Sequence, residues 1–140
     1  MTTAIDTNVI VSLWDPDPSL SSAARSALES ALENGPLIVS APVFAELIAF
    51  QGRDEAFLES FFEQTGMSVE WNLDKSVWRA AGLAFRTYSA GRRRHGVPGP
   101  RRILADFVIG AHAARAGYRL LTFDDRFHRA AFPDLTVVGF

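Results

Sequence analysis

Residues 103–125 read ILADFVIGAHAARAGYRLLTFDD, and this stretch contains the alternation of elements that decides the fold. Between Ile103 and Ala114, ten of twelve residues are apolar or glycine, which predicts a helix packed into a protein interior. The segment YRLLT then predicts a strand, and acidic residues follow it directly. The helix also carries Asp106 near its start. Because an ionised carboxylate among apolar side chains is costly, Asp106 needs a partner.

The same alternation of short apolar strands with helices extends through the rest of the chain. Strands of four to six apolar residues between helices favour a parallel sheet covered on both faces. The sequence therefore predicts an α/β fold, a three-layer α/β/α sandwich with a central parallel sheet, as one domain over residues 1–140. The predicted strands are TTAID (2–6), PLIVS (36–40), MSVEW (67–71), YRLLT (118–122) and LTVVGF (135–140).

Four carboxylates stand at positions where the predicted fold gathers functional groups. Asp6 and Asp124 follow strands, whereas Glu46 and Asp106 lie near the starts of apolar helices. In a parallel sheet these positions converge on the crevice outside the carboxyl ends of the strands. Clustered carboxylates repel one another unless a cation lies among them, and oxygen ligands suit Mg²⁺ or Mn²⁺. We therefore expect Asp106 to be paired with a metal ion and, through it, with Asp6.

Each carboxylate also has a purely structural interpretation. Asp6 can cap the helix that follows it, and Asp124 or its neighbour Asp125 can be an ordinary turn residue. Glu46 and Asp106 can form buried salt bridges with arginine. Four such residues at convergent positions favour a shared site over four separate structural roles.

The histidines are weak candidates for metal ligands or bases. His112 lies six positions after Asp106 and so faces another side of the helix, as an interior or interface histidine. His95 lies in a predicted basic loop, and His128 follows the segment FDDRF (123–127) in a predicted polar turn. None of the three has the spacing of a ligand or of a nucleophile's general base.

The charge is distributed unevenly along the chain. Residues 1–74 contain twelve acidic residues and two arginines, whereas residues 75–140 contain twelve basic and four acidic residues. The predicted loop GRRRHGVPGPRR (91–102) could bind a polyanion or simply be a solvated surface. If the polyanion is RNA, the arginines that would hold its backbone are Arg92, Arg93, Arg94, Arg101 and Arg102.

The composition excludes some kinds of metal site and bears on where in the cell the protein is expected. The chain has no cysteine, which excludes disulfides and thiolate metal sites. No apolar stretch reaches the roughly 18 to 20 residues of a membrane span, and MTTAIDTN lacks the features of a signal peptide. We expect a cytoplasmic protein with no membrane partner.

Four segments together resemble a known family. IDTNVIVSLW, APVFAELIAF, ILADFVIGAHAARAG and LLTFDDRF look like the signature segments of PIN-domain ribonucleases and, more narrowly, of the VapC toxins of bacterial toxin–antitoxin pairs. The resemblance implies a parallel sheet in strand order 3-2-1-4-5. It also implies Mg²⁺- or Mn²⁺-dependent cleavage of single-stranded RNA or tRNA, a homodimer, and a VapB-like antitoxin.

The resemblance also assigns roles to individual positions. Asp6 and Asp106 would be the principal metal ligands, Glu46 the second acidic residue of the site, and Asp124 the fourth. A second acid, Asp125, follows Asp124, so either carboxylate could face the metal. Asp124 is favoured because it directly follows the pair Thr122–Phe123. The polar positions that would support the ligands by hydrogen bonding are Asn8 and Thr122.

The rival hypothesis from another class is a catalytically inactive module that binds RNA or a protein and whose acidic cluster is structural. The haloacid-dehalogenase-like phosphatases are disfavoured, because the chain has Asp6-Thr7-Asn8 where they need two aspartates. A receiver domain is disfavoured because Lys75, the only lysine, is in the wrong place.

Overall fold

A computed structural model describes residues 1–95 and 101–140, without the side chain of His95. Five strands are present: β1 (Thr3–Ile5), β2 (Leu37–Ser40), β3 (Ser68–Glu70), β4 (Arg119–Leu121) and β5 (Thr136–Val138). The helices are α1 (Thr7–Leu13), α2 (Pro18–Glu33), α3 (Ala41–Ala49), α4 (Glu55–Thr65), α5 (Lys75–His95), α6 (Leu104–Ala116) and α7 (Asp125–Ala131).

The strands form one parallel sheet in the order β3-β2-β1-β4-β5. This confirms the predicted parallel sheet flanked by helices and the strand order that the family resemblance implies. β1 lies at the centre of the sheet, and its register with β4 places Ile5 opposite Leu121. The residues that follow β1 and β4 are therefore neighbours at the carboxyl edge of the sheet.

The core fills the space between the sheet and the helices that cover it. Ile5, Val39 and Leu120 of the three central strands are at most 1% exposed. The middle of α6 is buried from Phe107 to Ala113, as its apolar sequence predicts. Because α6 packs against both α3 and α5, its N-terminus is held at the same edge of the sheet as the start of α3.

Local sequence signals account for several helix boundaries. Asp17 caps α2 by accepting a hydrogen bond from the backbone N–H of Ser19, and Pro18 occupies the first position. Asp54 caps α4 by accepting from the N–H of Phe57. Gly117 ends α6 with a φ of 74°, a conformation that glycine adopts without steric cost.

Two segments differ from the expectations drawn from the sequence. The predicted polar turn after β4 is wrong, because the chain enters α7 at Asp125 and His128 lies within that helix. The predicted basic loop is wrong at its start, because Arg92, Arg93 and Arg94 belong to the last turns of α5. Residues 96–100 of that loop lie outside the described residues. In the described part of the chain, no helix is long and apolar enough to cross a membrane.

Candidate functional site

Asp6 is held in one orientation at the carboxyl end of β1. Its Oδ1 accepts a hydrogen bond from the backbone N–H of Thr7 at 2.8 Å, which caps α1. Its Oδ2 accepts one from the hydroxyl of Thr122 at 2.7 Å, and Nε2 of His128 lies 3.2 Å from the same oxygen. The side chain is therefore both a helix cap and a buried carboxylate with a hydroxyl and an imidazole beside it.

The predicted supporting residues join the segments after β1 and β4. The hydroxyl of Thr122, which donates to Asp6, also accepts the backbone N–H of Asp124 at 2.9 Å. The side-chain oxygen of Asn8 accepts the backbone N–H of Phe123 at 3.1 Å. These bonds fix the position of Asp124 relative to Asp6, because Thr122 contacts both residues and Asn8 binds the residue before Asp124.

Glu46 faces the same edge of the sheet from α3. Its Oε1 accepts a hydrogen bond of 2.6 Å from the hydroxyl of Thr7, the residue after Asp6. Partial burial raises the pKa of the Glu46 carboxyl, and the charges of Asp6 and Asp106 raise it further, against the opposing effect of the Thr7 hydrogen bond. Asp6 and Asp106 are therefore both close enough to Glu46 to repel its charge.

Asp106 lies at the exposed end of a buried helix. Its Oδ2 accepts the backbone N–H of Ile103 at 3.0 Å, so its first partner is the N-terminus of its own helix. The carboxylate is half-buried, while the residues that follow it in α6 are enclosed. No arginine forms an ion pair with Asp106 or Glu46 in the described part of the chain, unlike the salt-bridge alternative drawn from the sequence.

Asp124 is the carboxylate that an arginine neutralises. The guanidinium of Arg102 binds it with both nitrogens of its fork, Nη1 to Oδ2 and Nη2 to Oδ1, the latter at 3.3 Å. Partial burial lowers the pKa of the Arg102 guanidinium. The hydrogen bond to Asp124 and the charges of Asp124 and Asp106 outweigh this effect and raise the pKa above its ordinary value. The neighbouring Asp125 instead lies 3.6 Å from Nε of Arg129.

The chemistry of the donor set fits a hard divalent cation. Asp6, Glu46 and Asp106 offer only carboxylate oxygens, which Mg²⁺ and Mn²⁺ prefer, and a cation would relieve their repulsion. Among the residues that the structure describes, however, no three His, Asp or Glu side chains are grouped as they would be around one ion. Coordination by all four predicted carboxylates stays a prediction.

Comparison with known proteins identifies the family of the chain. The family model of the PIN domain matches residues 3–133, almost the whole chain. The chain belongs to the PIN domain family. This confirms the family resemblance carried by the four sequence segments, and it places the chain among nucleases, which hydrolyse nucleic acids.

Solved structures share the fold of this PIN domain. VapBC2 from Rickettsia felis, bound to a DNA fragment from its promoter, matches with a TM-score of 0.65 and 19% identity, covering 99% of this chain and 98% of that one. VapBC-1 from nontypeable Haemophilus influenzae matches with a TM-score of 0.64 and 20% identity over 99% and 98%. FitAcB from Neisseria gonorrhoeae matches with a TM-score of 0.59 and 24% identity, covering 98% of this chain and 96% of that one. No curated protein sequence matches significantly.

His128 lies in the candidate site, although the sequence analysis placed it in a turn. It is 2% exposed, and α7 directs its ring towards Asp6. Gly110 of α6 makes room first for Phe132 and then for His128, because a Cβ there would lie 2.5 Å from the Phe132 ring and 3.0 Å from Nδ1 of His128. The signal was present in the segment FHRAAF, where Phe127, Ala131 and Phe132 have the spacing of a helix face.

His112 is an interior histidine, as expected, and lies apart from the acidic site. Its Nε2 lies 2.7 Å from Oε1 of Glu70, and the hydroxyl of Tyr118 donates to the other oxygen of Glu70 at 2.7 Å. The side chain of His112 is buried. The residue stabilises the packing of α6 near β3 and makes no contact with Asp6 or Asp124 in the structure as described.

The arginines that the sequence grouped in one loop separate into two environments. Arg92, Arg93 and Arg101 line a pocket of about 310 Å³ together with Tyr88 and Ser89. Arg102 instead lies against Asp124, and Arg94 is exposed at the end of α5. The hydroxyl of Tyr88 links the two environments, because it accepts hydrogen bonds from Nη1 of Arg92 and from the backbone N–H of Arg102.

Proposed function

We propose that this PIN domain is a metal-dependent endoribonuclease and the toxin of a VapBC-type toxin–antitoxin pair. The observation that supports the proposal most is the proximity of Asp6, Glu46 and Asp106 at the carboxyl edge of the sheet. Glu46 accepts a hydrogen bond from Thr7, the residue after Asp6, and the charges of Asp6 and Asp106 raise its pKa. Repelling carboxylates in a nuclease family are what a site for Mg²⁺ or Mn²⁺ requires. RNA as the substrate class, and with it a cytoplasmic location, comes from the resemblance to VapC toxins.

The acidic residues have separate roles in the proposed site. Asp6 and Asp106 are the principal metal ligands, with Glu46 and Asp124 completing the set. The bound cation would supply a water of lowered pKa and neutralise charge that develops on the phosphate. Glu46 or Asp124 would orient that water or accept a proton from it.

The supporting residues and the arginines serve position and affinity. Thr122 and Asn8 hold the segment after β4 against Asp6 through the hydrogen bonds described above. The pocket of Arg92, Arg93 and Arg101 lies near the acidic site and has the charge to bind the RNA backbone, with Arg94 beside it on α5. Such contacts contribute affinity but little sequence preference.

The proposed protein partners are a VapB-like antitoxin and a second copy of the chain. Several solved structures with this fold are VapBC or FitAB assemblies, and another is a toxin–antitoxin complex from Klebsiella pneumoniae. Large aromatic side chains are exposed on two surfaces, Trp71 with Trp78 and Phe50 with Phe57. Exposed apolar surfaces of this kind suit protein interfaces.

The first test is cleavage of a mixed RNA pool by the purified chain, freed of any antitoxin, with Mg²⁺ or Mn²⁺. We expect cleavage that EDTA stops and that Asp6→Asn lowers at least about 100-fold, because the loss of a ligand removes several kcal/mol of stabilisation of the transition state. Asp54→Asn is the matched control, since Asp54 is also a helix N-cap but lies outside the site. RNA that is bound but left intact with either metal would favour the inactive module.

A further inference from the structure

Two ion pairs involve carboxylates of the proposed site in the described part of the chain. His128 lies beside Asp6, and Arg102 binds Asp124. Arg102 belongs to the short segment before α6, and its guanidinium reaches across to Asp124 at the start of α7. The carbon at the centre of the guanidinium lies 4.3 Å from the centre of the Phe127 ring, so the plane of the fork is also held by an aromatic side chain.

The backbone of Arg102 is fixed independently of its side chain. Its N–H donates to the hydroxyl of Tyr88 at 2.9 Å, and this bond does not depend on where the guanidinium lies. Tyr88 also lines the pocket of Arg92, Arg93 and Arg101. The side chain of Arg102 can therefore leave Asp124 and turn towards a ligand in or near that pocket without a change in the fold.

A divalent cation and a guanidinium require the same oxygens of Asp124. The fork of Arg102 already contacts both Oδ1 and Oδ2, which leaves the carboxylate neutralised by an ion pair. The charge of Arg102 also acts on Asp106, so it lowers the negative potential that attracts a metal to the site. Binding of both cations at full strength is opposed by their mutual repulsion.

We propose that Arg102 and the divalent cation compete for Asp124, and that the guanidinium released by the cation binds a phosphate of the RNA. The inference rests on the proposed function, since the acidic cluster must bind the metal. It gives Arg102 a role different from that of the other arginines: it couples the occupation of the metal site to the capture of the substrate.

The test is the affinity for Mn²⁺, measured by calorimetry on the full chain without RNA. Arg102→Met keeps the apolar stem that packs on Phe127 and removes the charge. We expect its Kd for Mn²⁺ to fall about tenfold, which corresponds to about 1.4 kcal/mol. Arg129→Met is the matched control, because it removes an arginine paired with Asp125 and should leave the Kd within about twofold. An unchanged or higher Kd for Arg102→Met would overturn the proposal.

Two further variants keep the test independent of folding defects. Asp124→Asn should remove most of the gain and leave only the weaker effect of the Arg102 charge on Asp106. Arg102→Lys retains a positive charge without the planar fork and should give an intermediate Kd. A gain in affinity that is undiminished in the Asp124→Asn background would contradict competition for that carboxylate.

The second half of the proposal concerns the substrate. With saturating Mn²⁺, Arg102→Met should raise the KM for a short single-stranded RNA about three- to tenfold and change kcat less, since a phosphate contact is lost. An unchanged KM would refute the phosphate contact. The Mn²⁺ titration uses no RNA, so a chain without nuclease activity that still shows the shift in Kd would refute only the proposed function.

Discussion

Asp6 and Asp124 follow neighbouring parallel strands, β1 and β4, but their surroundings differ. Asp6 is buried, and its oxygens accept hydrogen bonds from a backbone N–H and a threonine hydroxyl, with a histidine nitrogen beside them. Asp124 is more exposed, and an arginine neutralises it. Hydrogen bonds from neutral donors fix a carboxylate and leave its charge available to a metal, whereas a flexible cation can be exchanged for one. Asp6 is therefore suited to bind a metal ion permanently, and Asp124 is suited to exchange its arginine for a metal ion.

The largest effect on activity and on metal affinity should come from a substitution of His128, the neighbour of Asp6. His128→Leu removes the ring nitrogen beside Oδ2 of Asp6, so the carboxylate loses one of the groups that orient it. Residues that orient metal ligands typically contribute about 10- to 100-fold to activity or metal affinity. We expect a loss of that size in kcat and a weaker Kd for Mn²⁺, both measured on the same preparation.

The matched control is His112→Leu, because His112 is also buried with Nε2 beside a carboxylate, that of Glu70. Both variants should lower the melting temperature, since each removes one of the polar partners of a carboxylate. Only His128→Leu should weaken Mn²⁺ binding. If the two variants weaken it equally, the role of His128 is general packing of the fold and not the orientation of Asp6.

The Asp124 side can be tested through the salt dependence of RNA binding, with EDTA present to keep the RNA intact. Arg93→Ala and Arg101→Ala remove two charges from the pocket beside Tyr88. For single strands, each lost phosphate contact should reduce the slope of log K against log salt by about 0.7. Arg25→Ala on α2 is the control and should leave the slope unchanged. An equal slope in all variants would remove the pocket from the RNA path.

The smallest expected effect is on stability, through Glu46. Because the folded state raises the pKa of this carboxyl, the folded state binds its proton more tightly, and stability falls as the pH rises through the folded pKa. Glu46→Gln removes this penalty at neutral pH and keeps an oxygen that accepts from Thr7. For a half-exposed group the gain is below about 1 kcal/mol, a rise in melting temperature of at most about 4 °C.

Two measurements check the sign of the Glu46 effect. Thermal melts with EDTA at pH 7 should show the gain. Melts near pH 4 should show much less of it, since the Glu46 carboxyl is then mostly protonated in both the folded and the unfolded state. Added Mn²⁺ should stabilise the wild-type chain more than Glu46→Gln. A lower melting temperature for Glu46→Gln at pH 7 would contradict the repulsion of the Glu46 charge by Asp6 and Asp106.

The sequence was sufficient for the parts of the fold that depend on local pattern. Apolar strands of four to six residues between helices determine a parallel sheet, and the acids that follow β1 and β4 then meet at its edge. The strand order came from the family resemblance. Asp6 and Thr122 are 116 positions apart, yet their contact follows directly from the pairing of β1 with β4.

The parts that the sequence did not predict depend on long-range contacts. His128 was assigned to a turn because Asp124 and Asp125 look like turn residues, although Asp124 instead precedes the first turn of α7. Arg92 was assigned to a loop because glycine and proline follow it. In the structure, Arg92 instead lies one helical turn after Tyr88 and donates to its hydroxyl. The pairing of Arg102 with Asp124 joins α7 to the segment before α6, and no local pattern specifies it.

The central claim is that the carboxylates at the edge of the sheet bind a divalent cation. The most direct measurement is an anomalous difference map from crystals of the chain grown with Mn²⁺. The account predicts a peak in contact with carboxylate oxygens of both Asp6 and Asp106, absent from crystals of Asp6→Asn. A peak away from these two residues, or no peak at saturating Mn²⁺, would contradict it.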